Sequence, residues 1–206
     1  MALERQEPAA QPRPAVAPAH TDWLSHRLQV RGPAQQVAAF RAQAAGAGLI
    51  PWHLDLDRME EDFFLRLVAS PGHGRRLSLD GARLLAAELR DAVARRHALA
   101  VARVGRSIAC PFDLHALVPV PEAVLRLGPD HPDGLEWLAA HWGTTQALRH
   151  VSIETATAAR RPRSAEDAVF AVSFWSADWT PWPALATVRN RWPGLRFDVA
   201  PRYEPA

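Results

Sequence analysis

The sequence contains no lysine, one cysteine, one tyrosine and two methionines among 206 residues. With a single thiol, Cys110, no intramolecular disulfide can form, and a zinc site would draw mostly on histidine. The nine histidines are scattered without an HExxH pair, and no GxSxG, P-loop or GxGxxG motif occurs. No apolar run approaches the roughly 18 residues of a membrane span. The first residues lack the apolar stretch of a secretory signal. These absences predict a soluble, cytoplasmic chain with no membrane partner, no metal, no cofactor and no recognisable catalytic constellation.

What is present is a chain able to build one core, with 48% hydrophobic and 22% charged residues. All 24 basic residues are arginine, a compositional bias beside the abundant alanine, so an arginine alone does not mark a bidentate site. A formal net charge of +2 is too small to imply nucleic acid. Charge is nonetheless uneven. Residues 70–106 carry eight arginines against three acids, and residues 107–140 carry Arg126 against five acids.

Residues 1–22, with Pro8, Pro12, Pro14 and Pro18, read as an Ala/Pro-rich disordered tail. Residues 23–206 read as a single domain. Leu24–Arg31 alternates like a half-buried strand, Gly32-Pro33 breaks it, and Val37, Phe40, Ala44 and Ala45 mark a helix ended by Gly46 and Gly48. Phe63–Ala69 reads as extended, after an acidic run (Asp55, Asp57, Glu60, Glu61, Asp62) that reads as a solvated loop. Ser78 or Asp80 caps a helix whose predicted buried stripe is Leu85, Leu89, Ala92 and Val93. Along it Arg83, Arg90 and His97 share a face, and Asp91 is placed to pair with Arg95. Phe112–Pro121 looks extended, and Pro121–Leu127 and Pro132–His141 fit short helices. Leu148–Thr155 and Ala168–Trp175 read as a hairpin around the polar loop Ala159–Ala165. A helix over Pro183–Trp192 and a strand over Leu195–Val199 follow. The order β-α-insertion-β-β-α-β predicts an α+β ferredoxin-like sandwich: an antiparallel sheet with two helices on one face and a mostly helical insertion at about 48–147.

Four pieces of the chain resemble the YubB ferredoxin-like proteins of plasmids and phages. Phe112-Asp113-Leu114 through Val118-Pro119-Val120-Pro121-Glu122 is similar to that family's FDF…IxPxP segment. Trp142-Gly143-Thr144-Thr145 is similar to its WGTKW signature, with Thr145 at the lysine position and Gln146 at the final tryptophan. Trp179-Thr180-Pro181-Trp182-Pro183 resembles its WSPP turn, and Trp192–Phe197 with Tyr203-Glu204 resembles the closing FPxLxF…YxE. The resemblance covers mainly residues 110–206. It implies the fold; the family brings no established activity or cofactor.

Six of the eight tryptophans fall within residues 137–192, enough aromatic area to bind a base, sugar or peptide. Trp142, Gly143, Thr144, Trp179 and Trp182 form the candidate binding surface, and the alternative is that these rings fill the core. The function this suggests is a non-enzymatic binding or regulatory domain with a protein partner. A second reading is an enzyme with a pocket near Trp142, Thr144 and Trp179. A third is a nucleic-acid binder using Arg160, Arg161 and Arg163 on the hairpin loop. An RNA-recognition sheet is disfavoured, because Phe170, Val172 and Phe174 share a face that looks like core and no Arg-Gly precedes them. Cys110 and His115 are near in sequence, but Cys110 reads as an inert buried thiol.

Overall fold

The computed structural model describes residues 21–69, 77–154 and 167–202. The Ala/Pro-rich tail, the hairpin loop with Arg160, Arg161 and Arg163, and Tyr203-Glu204 lie outside the described residues.

Strand β1 (Trp23–Pro33) alternates as the sequence demands, with His26, Leu28 and Val30 turned into the core. It runs through Pro33 instead of breaking at Gly32, and Pro33 is the residue preceding helix α1 (Ala34–Ala44). Val37, Phe40 and Ala44 form the buried side of α1. Phe40 is the hub of the aromatic core, edge-on to Phe170, Trp192 and Phe197 at centroid distances of 6.1, 5.7 and 5.3 Å. Such edge-to-face contacts add to the apolar area each ring buries.

The segment that follows carries α2 (Leu56–Ala69), α3 (Leu79–Val101), α4 (Leu114–Leu117), α5 (Glu122–Leu125) and α6 (Pro132–His141). Several expectations differ from the structure in this segment. Phe63–Ala69 is helix, and the acidic run forms the start of that helix. Asp55 Oδ1 accepts from the Arg58 amide at 3.0 Å, and Asp57 lies in the positive first turn. On α3 the fully buried residues are Ala82 and Ala86, while Leu85 and Leu89 remain 38% and 39% exposed. Small side chains let α2 approach closely, and Arg83, Arg90 and His97 work as structural contacts. The Arg83 guanidinium lies 5.6 Å from the Phe64 ring, Arg90 reaches Glu60 at 3.0 Å, and His97 meets the Trp52 carbonyl at 2.8 Å. Asp91 pairs with Arg90 at 2.8 Å, not with Arg95. Phe112–Pro121 is interrupted by α4, whose cap is the buried Asp113. Its two carboxylate oxygens accept from the His115 and Gly48 amides at 2.9 and 2.8 Å.

The α2–α3 excursion is closed at its root by a reciprocal backbone pair, Gly46 to Cys110 at 2.9 Å and Cys110 to Gly46 at 3.0 Å. The chain then enters β2 (Arg149–Ile153) and β3 (Asp167–Ala177), passes through α7 (Trp182–Arg191) and ends in β4 (Arg196–Arg202). The sheet order is β2-β3-β1-β4, with every neighbouring pair antiparallel. The architecture is therefore α+β: one four-stranded antiparallel sheet and, among the described residues, seven helices. Leu28, Val30, Phe170, Val172 and Phe174 join Leu185, Val188, Leu138 and Trp142 in one core on the helix side of the sheet. Among the described residues no helix is long and apolar enough to cross a membrane.

Candidate functional site

The end of β3 and the start of α7 meet the exit of α6. Trp142 ends α6 with its ring buried, and its Nε1 donates to the Val118 carbonyl at 2.8 Å. Gly143 follows at φ +77°, and its amide donates to the Leu138 and Ala139 carbonyls at 3.1 Å each. This is the left-handed exit that glycine tolerates. Thr144 is buried too. Its Oγ1 donates to the Ala177 carbonyl at 3.0 Å and accepts from the Ala177 amide at 3.2 Å, so one hydroxyl ties the helix exit to the strand end.

The turn beyond Ala177 is held from three sides. Asp178 sits at φ +61° and exchanges hydrogen bonds with Asp22: its amide donates to the Asp22 carbonyl at 2.6 Å, and its Oδ1 accepts from the Asp22 amide at 2.9 Å. Ser176 Oγ donates to the Trp179 carbonyl at 2.6 Å. The buried His26 ring stacks on Phe174 at 5.1 Å and meets Thr180 Oγ1 at 2.8 Å through Nε2 and Ser176 Oγ at 3.4 Å through Nδ1. Because the Ser176 proton is committed to Trp179, Nδ1–H donates to Ser176 and Nε2 accepts from Thr180. Burial pushes the His26 pKa down, in keeping with this neutral role.

On this fixed turn Trp179 and Trp182 are 44% and 55% exposed. With Ala139, Gly143, Thr180 and Pro183 they line a cleft of about 350 Å³. Gly143, Trp179 and Trp182 therefore come together, whereas Trp142 and Thr144 are buried. Among the described residues that line it the cleft has no carboxylate, imidazole, thiol or guanidinium, and the hydroxyl of Thr180 is engaged with His26. The sequence reading missed His26, because an inward position on an alternating strand gives no sign of the turn it holds.

Cys110 and His115 each bond to a backbone group. Burial pushes the Cys110 thiol up, and it donates to the Phe112 carbonyl at 3.3 Å. Burial pushes His115 down, and its Nδ1 accepts from the Val120 amide at 3.2 Å. Among the described residues no three His, Cys, Asp or Glu side chains converge as a metal group. No protein-family model, curated protein or solved structure matches the chain.

Proposed function

We propose that this chain is a protein-binding domain of the ferredoxin-like type, related to the YubB family, that docks an apolar segment of a partner protein in the Trp179–Trp182 cleft. One observation carries the reading: two half-exposed indoles stand on a turn pinned by His26, Ser176 and Asp22, across an apolar cleft without titratable groups. Exposed tryptophans on a rigid base offer large contact area at little ordering cost, which is how interface anchors act. The same lining gives an enzyme no acid, base or free nucleophile.

The finer fold assignment is supported by the way each crossover is split. β1 and β2 run parallel with β3 between them, and β3 and β4 run parallel with β1 between them. The family assignment is supported by the meeting of its motif pieces: Trp142 bonds to Val118, and Gly143 abuts Pro183.

Selection of a displayed peptide library against the full chain tests the function. The expected result is enrichment of apolar, aromatic- or proline-containing peptides whose binding drops at least tenfold in Trp182→Ala. Peptides that bind the variant as tightly as the parent would remove the cleft from the reading.

A further inference from the structure

We propose that the helix-free face of the sheet is a docking surface for single-stranded nucleic acid. The alternation that sends Leu28, Val30, Phe170, Val172 and Phe174 into the core sends their neighbours to the opposite side, where no described helix packs. The register places Ser25 against Trp175 and Arg202, Arg27 against Ser173, Arg31 against Arg196, and Arg149 against Trp175. The aromatic residues on this face are thus Trp23 and Trp175, both half-buried and of the parity opposite to the buried phenylalanines.

Charge on this face is concentrated well beyond the chain's small net value. Among the described side chains Arg27, Arg31, Arg149, Arg196 and Arg202 stand against Glu154 and Asp198. Glu154 is shared by two cations, Arg27 at 2.6 Å and Arg202 at 2.9 Å, and so leaves a positive excess. Arg31 and Arg196 lie directly opposite each other on β1 and β4, a like-charge pairing that costs stability unless an anion sits between them. The Arg31 guanidinium donates to Gln29 Oε1 through Nη2, while its Nε is buried with no hydrogen-bond partner.

The stacking groups lie at the other end of the same face. The Arg149 guanidinium covers the Trp23 ring at 4.0 Å, and Trp175, the next ring, meets His150 edge-on at 6.4 Å. Guanidinium planes and indoles side by side offer stacking surface for unpaired bases, and the remaining arginines offer contacts for phosphates. The face is a sheet surface and not a protruding helix or ribbon, so it suits splayed single strands better than the groove of a duplex.

Fluorescence anisotropy of the full chain with labelled oligothymidylate and oligouridylate tests the proposal. Affinity should fall steeply with salt, since each phosphate contact releases counterions. The double variant Arg149→Glu/Arg196→Glu, at two exposed positions, should lower affinity at least tenfold and reduce the salt slope by about two. Trp175→Ala should lower affinity about tenfold through lost stacking. Trp182→Ala should bind the oligonucleotides like the parent, which separates this surface from the cleft. Absence of salt-dependent binding, preference for duplex, or an unaffected Arg149→Glu/Arg196→Glu variant overturns the proposal. Equal binding to polyglutamate overturns it in favour of an acidic protein partner. Melting curves of each variant show whether a loss of binding is a loss of fold, and Arg196→Ala alone serves if the double variant unfolds.

Discussion

Gly143 and Pro183 touch so closely that a Cβ on Gly143 would lie 2.4 Å from Pro183 Cδ and 3.3 Å from the Thr180 carbonyl oxygen. The glycine therefore meets two demands at once, a positive φ and a missing side chain. Gly143→Ala is expected to cost about 2 kcal/mol or more, combining left-handed strain with overpacking. Gly105 provides the control. It sits at φ +71° with nothing within 4 Å of its Cβ position, so Gly105→Ala should cost only the backbone part, about 1 kcal/mol. Equal losses in chemical denaturation would mean that Pro183 yields and the contact does not fix the turn.

Trp142 is buried and Trp182 is exposed, so the two rings have opposite duties. Trp142→Ala should destabilise by roughly 3–5 kcal/mol, because it empties a large buried volume. Trp142→Phe should cost less but still about 1–3 kcal/mol, since the buried Val118 carbonyl loses the indole donor. Trp182→Ala should shift stability by less than about 1 kcal/mol, its ring being mostly in solvent. Thermal melts of the three variants should fall in that order.

Much of the sheet was legible because alternation and punctuation agree there. The inward side of β1 reads directly from Leu28 and Val30, and Pro193-Gly194 marks the boundary between α7 and β4. The α2–α3 region was harder for a physical reason. Phe63-Phe64-Leu65 is a short apolar run that periodicity assigns equally well to strand or helix. On α3 the leucines dominate the hydrophobic pattern, yet Ala82 and Ala86 make the close contact. Helix approach depends on small size, which a hydrophobicity pattern does not weigh. The site was half legible: tryptophan clustering located the cleft, but the depth of Trp142 and Thr144 follows from the helix exit and from the strand end bonded to it.

The orientation of α3 can be tested by two substitutions on opposite sides. Ala86→Leu inserts methylenes where Ala86 is fully buried and should cost about 1–3 kcal/mol. Leu84→Glu, on an exposed side of the same helix, should change stability by no more than about 0.5 kcal/mol. The reverse result in urea denaturation would place the leucines, not the alanines, in the contact.

Stability should decline on mild acidification, and the sign follows from two histidines. Burial holds His26 and His115 below their ordinary value of 6.5, so the unfolded chain takes up protons before the folded one. The stabilisation is complete above that ordinary value and is lost as the pH falls from there through the lowered folded-state values. The two rings differ in how well they can adapt. Thr180 can turn its hydroxyl to accept from a protonated His26, but the Val120 amide facing His115 Nδ1 can only donate. Protonation of His115 therefore breaks a bond that no rotation restores, between α4 and the loop that follows it. Asn at this position keeps an acceptor without titrating, so His115→Asn should flatten part of the decline. Urea unfolding at a series of pH values between about 7 and 5 reads this directly. A stability that rises toward the acid end would show that these rings are charged in the folded protein.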